Sequence, residues 1–228
     1  MSRVKRKGPP TGAARAPRAV SEGRKRQVIY AVVEGETTER DYLDYLERRF
    51  AGDPRTFEIK VLWKRNGLKP YEVVTRALEK LGELDDPQRE QVWAFFDRDE
   101  HCGVEEAHAQ AESAGVKVAF SHPCFELWLL LHFASGVSGA RTSKGVQDQL
   151  RAVHPAFRDF GKSLETAHRR ALDGQEAIAV GRAKALITNC PSLECTAKKG
   201  HAQECKVVDR VPSTEVWKLL AELGIVPC

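Results

Sequence analysis

Strand-like and helix-like segments alternate between residues 27 and 121, and this alternation limits the fold more than any other feature of the chain. Residues 27–34, QVIYAVVE, form a nearly continuous apolar run rich in β-branched side chains, as in a strand covered on both faces. GETTERDYLDYLERRF follows with helical spacing. Leu43, Leu46 and Phe50 share a face, Tyr42 stands one turn before Leu46, and Thr38 and Asp41 are spaced like a capping box. FEIKVLW (57–63) alternates as a second strand, and PYEVVTRALEKLGEL is a helix with Pro70 at its start. QVWAFFD, GVEEAHAQAESAG and VKVAFS then read as strand, helix and strand. Strands separated each time by one helix are the pattern of a parallel sheet built from crossover units. The expected class is α/β, with a parallel sheet of about four strands flanked by helices over 27–121.

Beyond Ser121 the character changes. HPCFELWLLLHF is apolar almost all round, which predicts a buried helix. Residues 143–153, 164–187 and 213–224 read as further helices, so 122–228 is expected to be a helical part packed on the core. At the other end, residues 1–26 hold nine Lys and Arg against one acid, Glu22, which makes them +8 in a chain of net +4. With Gly8, Pro9, Pro10, Gly12 and Pro17 among them, they predict a disordered basic arm. Arg3, Lys5, Arg6, Lys7, Arg24, Lys25 and Arg26 are its candidate nucleic-acid contacts, because cations that neutralise phosphates release counterions. A solubilising tail is the alternative.

No run of about 18 apolar residues is present to span a membrane, and the basic N-terminus lacks the apolar stretch of a secretory signal. The expected location is cytoplasmic, where six cysteines in a chain of 228 residues are thiols or metal ligands. Cys190, Cys195, His201 and Cys205 are spaced C-x4-C-x5-H-x3-C, which would supply a tetrahedral zinc set. That spacing is looser than C-x2-C pairs, and ordinary thiols are the expectation.

The chemistry concentrates at two strand ends. Ligands of parallel α/β sheets bind just beyond the carboxyl ends of the strands. The first strand ends in Val33-Glu34-Gly35-Glu36 and the third in Asp97-Arg98-Asp99-Glu100. Asp97 and Asp99, two apart, point the same way in extended chain. If the strands are neighbours, Glu34, Asp97 and Asp99 converge, and a divalent cation relieves their repulsion. All-oxygen donors favour magnesium or manganese. Strand ends are also acidic simply where they meet water, and that is the alternative. Glu36 and Glu100 are candidates to support the cluster. Glu126 is an acid inside the apolar helix, costly unless paired or metal-bound, and is expected to face the same cluster from the helix's first turn. His132 is expected to be a packed core histidine. Lys162 is a candidate phosphate contact, with a solvated lysine as the alternative.

VVEGE after the first strand and FFDRDE after the third resemble the Toprim domain of topoisomerases, primases and several nucleases. EGETTERDYL, FDRDE, HPCFELWLLLHF and VPSTEVWKLLAEL, in that order over 34–224, resemble the RloB-like family known from restriction and phage-defence loci. The resemblance implies Glu34 as the Toprim glutamate, a candidate acid/base, and Asp97 and Asp99 as the magnesium-binding pair. It further implies a metal-dependent nuclease acting on RNA, tRNA among them, or on DNA in anti-phage defence, with an ATPase encoded alongside as partner. The alternative is a non-catalytic nucleic-acid-binding or regulatory subunit holding a structural cation.

Overall fold

Five strands form one sheet in the order β2-β1-β3-β4-β5: β1 (Gln27–Val33), β2 (Phe57–Leu62), β3 (Glu90–Asp97), β4 (Lys117–His122) and β5 (Ser213–Thr214). The computed structural model describes residues 26–52, 56–98, 101–135, 137, 139–188 and 206–227. The first four strands are parallel, and β5 joins the edge antiparallel through Ser121↔Thr214 and His122↔Ser213. The crossovers are made by α1 (Thr38–Phe50), α2 (Pro70–Gly82) and α3 (Val104–Ser113).

Alternate residues of the strands feed two separate cores, one on each face of the sheet. Ile29, Ala31, Val33, Trp93 and Phe95 pack with Tyr42, Leu43 and Leu46 of α1. Val32, Val92, Ala94, Phe96, Val118 and Phe120 pack with Val73, Val74 and Ala77 of α2 and with Val104, Ala107 and Ala111 of α3. Burial on both faces is why β1 and β3 carry continuous apolar runs, whereas the edge strand β2 alternates with Glu58 and Lys60.

The remaining helices are α4 (Glu126–Leu131), α5 (Ser143–Val153), α6 (Thr166–Leu172), α7 (Glu176–Thr188) and α8 (Trp217–Glu222). Leu127 to Leu131, Val146 and Leu150, Ala179 and Ala183, and Leu219 and Leu220 all join the core on the α1 face.

Several local expectations are corrected. The helix expected over HPCFELWLLLHF starts only at Glu126, because His122 still belongs to β4 and residues 123–125 form the turn that follows it. The single helix expected over 164–187 is two, broken at Asp173-Gly174-Gln175, where Gly174 adopts φ +80°. The 213–224 helix is instead β5 followed by α8. Thr38 and Asp41 form no capping box. Asp41 Oδ2 accepts from Ser163 Oγ and Leu164 N, both at 3.0 Å, and Thr38 Oγ1 donates to Lys162 O at 2.7 Å. Their polar atoms fasten the 162–164 loop to α1, a use that no local spacing rule reveals. The arm residues 1–25 and the Cys190, Cys195, His201 and Cys205 set lie outside the described residues. No described helix is long and apolar enough to cross a membrane.

Candidate metal centre

The register of β1 with β3 places Val33 opposite Phe95, so the two acidic strand ends emerge side by side. Glu34 N donates to Phe95 O at 3.0 Å, continuing the ladder one residue past the strand. Its carboxylate then crosses to β3, where Oε2 accepts from Asp97 N at 2.9 Å. Asp97 Oδ2 in turn accepts from Phe125 N at 2.9 Å, which fastens the end of β3 to the turn ahead of α4.

Two further acids close the ring. Glu39, in the first turn of α1, is 7 % exposed, and its Oε1 accepts from Gly35 N at 3.2 Å. Glu126, the first residue of α4, is 5 % exposed and accepts from Thr38 Oγ1 at 3.4 Å. Glu34, Glu39, Asp97 and Glu126 line one pocket of about 390 Å³, whose wall also includes Gly67 and Lys162.

The electrostatics follow from this crowding. Burial, reinforced by Glu126 and Glu34, raises the Glu39 carboxyl to about 7. Burial, then Glu39, Glu34 and Glu126 in turn, hold Asp97 well above the ordinary carboxylate range. Cys124 shares the pocket, but burial, with Glu126 and Asp97 adding, pushes its thiol up, so it offers no thiolate nucleophile at neutral pH. Among the described residues no three His, Cys, Asp or Glu side chains are already drawn together as a cation's ligand set. Instead, each of the four acids has an oxygen engaged by a hydrogen-bond donor of the fold.

The expected residues divide accordingly. Glu34, Asp97 and Glu126 are brought together, and Glu126 faces the strand ends. Glu36 is exposed at the pocket mouth, where Oε2 accepts from Asn66 N at 3.2 Å. Lys162 lines the pocket with its side chain exposed. Arg26 is engaged within the fold, paired with Glu47 and Glu58 at 3.4 Å each and donating to Phe57 O. His132 is 1 % exposed, with Nδ1 2.9 Å from Trp128 O, a core histidine as expected. Asp99 and Glu100, and the arm's Arg3, Lys5, Arg6, Lys7, Arg24 and Lys25, lie outside the described residues.

Two site residues escaped the sequence reading. Glu39 precedes Tyr42 by three positions and Leu43 by four, so helical spacing put it on the buried face of α1, and that was the available signal. His101 Nε2 lies 3.1 Å from Glu34 Oε1, a contact made by the turn after β3 and carried by no motif.

A model of the family described as RloB-like protein matches residues 29–223, a span that includes all four pocket acids. No curated protein and no solved structure matches the chain.

Proposed function

The chain belongs to the RloB-like family, and on that premise we propose that it is a metal-dependent nuclease with a Toprim-like site. Its substrates on this reading are the phosphodiester bonds of RNA, tRNA included, or of DNA, and its setting is anti-phage defence beside an ATPase partner. The observation that carries the reading is the meeting of Glu34, Glu39, Asp97 and Glu126 on one pocket at the carboxyl ends of adjacent parallel strands.

Four largely buried acids repel one another, and two of them hold their protons more tightly for it. A divalent cation removes that conflict, and the oxygen-only donor set suits magnesium or manganese. Glu34, Asp97, Glu39 and Glu126 are the residues that would hold it, with Asp99 as the second aspartate of the D-x-D pair. When bound, such a cation polarises a phosphoryl oxygen and lowers the pKa of water. The chain's own groups do the rest. The Asp97 and Phe125 amides orient Glu34 and Asp97. Glu34 is the acid/base, and His101, with 36 % of its side chain exposed and Nε2 3.1 Å from Glu34 Oε1, is the partner with which it can exchange a proton.

The test is incubation of the purified protein with total RNA and with plasmid, in magnesium, in manganese and in chelator, with and without the neighbouring ATPase. Metal-dependent fragments that vanish in Asp97→Ala and Glu34→Gln are the expected result. Absence of cleavage under every condition, or cleavage unchanged in Asp97→Ala, overturns the reading. Binding without cleavage points to the regulatory-subunit alternative.

A further inference from the structure

The rim of the acidic pocket on the β2 side is basic and aromatic. β2 stops at Leu62, one residue earlier than its alternation predicts, so Trp63 opens a loop instead of closing a strand. The loop reads Trp63-Lys64-Arg65-Asn66-Gly67-Leu68-Lys69 and leads directly into α2, whose first two residues are Pro70 and Tyr71.

It is held in shape and pinned to the site. Gly67 N donates to Lys64 O at 3.0 Å, and Asn66 and Gly67 both adopt left-handed φ, +70° and +76°. Leu68 N donates to Glu34 O at 3.0 Å, and Asn66 N to Glu36 Oε2 at 3.2 Å. Gly67 approaches so closely that a Cβ there would stand 3.1 Å from Glu34 O. The loop's position is therefore tied to the backbone of the residue that carries the first pocket acid.

Leu68 anchors it in the core, and its other side chains are exposed. Trp63 is 40 % exposed and Tyr71 58 % exposed, large aromatic surfaces left in water beside a polar pocket. The Arg40 guanidinium, on the residue after Glu39, sits 4.9 Å from the Trp63 ring centroid. Lys64, Arg65, Lys69 and Arg76 are exposed around them. Arg76 Nη1 donates to Trp63 O at 3.4 Å, and Lys64, Tyr71 and Arg76 line a second hollow of about 330 Å³ next to the pocket. Aromatic faces interleaved with cations suit one partner chemistry above others: an unpaired nucleic-acid strand, whose bases stack while its phosphates meet Lys and Arg.

Building on the nuclease reading, we propose that this ledge is a binding track for single-stranded nucleic acid: Trp63 and Tyr71 stack bases, and Lys64, Arg65 and Lys69 hold the phosphates that flank the bond in the pocket. The pocket repels phosphate and the ledge attracts it, so the ledge places a strand that the acids alone would turn away. A duplex keeps its bases stacked on each other and leaves Trp63 and Tyr71 without a role.

The full-length protein is tested in chelator by fluorescence anisotropy, on labelled single-stranded RNA and DNA 12-mers and on the corresponding hairpin duplexes. Trp63→Ala with Tyr71→Ala should weaken single-strand binding about tenfold or more and duplex binding far less. Trp63→Phe with Tyr71→Phe should restore it, while the Leu pair should not, which separates stacking from mere packing. Lys64→Gln, Arg65→Gln and Lys69→Gln together should lower the salt slope on single strands by about 2. Whichever sugar binds tighter names the substrate. Alanine or Leu variants that melt like wild type and bind single strands as tightly overturn the track, as does wild type that binds no single strand. Binding is read without metal, so a failed cleavage assay sinks the nuclease reading and leaves this test standing.

Discussion

Glu39 depends on Gly35 at close range, and the pair gives the sharpest residue-scale tests. A Cβ on Gly35 would lie 2.6 Å from Glu39 Cδ, the far end of a flexible side chain. Gly35→Ala should therefore displace one carboxylate and spare the fold. The unfolding free energy should stay within about 1 kcal/mol of wild type, while the stabilisation conferred by manganese in a thermal melt falls. Equal manganese shifts in the two proteins would remove Glu39 from the site. Glu39→Gln tests the charge itself. At pH 8 the metal-free wild type carries an ionised Glu39 buried beside Glu34 and Glu126, whereas the amide keeps the volume and can still accept from Gly35 N. Metal-free Glu39→Gln should be more stable by about 2 kcal/mol in denaturant unfolding and should gain less from magnesium. Both outcomes trace to a residue whose neighbours come from β1 and α4, and its own stretch of sequence marks it only as lying on a buried helix face.

Among the elements, α4 joins the core to the site. Its six residues are all buried, with Glu126 at the pocket end and His132 as its C-cap. Glu126→Gln should fold normally and cleave poorly, since it removes one pocket charge without changing volume. Cleavage at the wild-type rate would make Glu126 structural. His132 is fully buried against Trp128 and Tyr42, and burial lowers its pKa to about 4. The folded state thus binds its proton less readily than the unfolded chain, whose histidine titrates near 6.5. The resulting stability is complete above about 6.5 and is lost as pH falls toward 4. Glu39 and Asp97 act in the opposite sense, so the comparison must be made against His132→Phe. Measured at pH 7, 6, 5 and 4, wild type should lose roughly 3 kcal/mol relative to that variant. A constant difference would mean that His132 takes up its proton as readily in the folded protein as in the unfolded chain. The extent of α4 shows how elements escape local reading. Residues 122–133 are helical by composition, yet His122 ends β4, the chain spends 123–125 turning, and Phe125 N serves Asp97 instead of a helix.

At the scale of the whole molecule, charge is divided between residues 1–26 and the rest of the chain. Residues 1–26 carry +8 and the remainder is net negative, while Arg26, the first described residue, is paired with Glu47 and Glu58. Deleting residues 1–25 should leave the unfolding transition in place and reduce both affinity for nucleic acid and the steepness of its salt dependence. An unchanged salt slope would make the arm a tail only. The sequence by itself determined the order of strands and helices over residues 27–121, the burial of the first strand on both faces, and the placing of Glu34 and Asp97 at strand ends. Each of these is a local periodicity, and short parallel crossovers leave few ways to assemble it. The tertiary structure alone decided that β1 lies beside β3, that Glu39 joins Glu34, Asp97 and Glu126 on one pocket, that β5 closes the edge, and that Trp63 leaves its strand to face solvent. Such outcomes depend on neighbours far apart in the chain, as with Thr38 and Glu126, which are separated by 88 positions. The energy of a buried carboxylate is set by the charges and donors around it in space, and spacing along the chain does not record them.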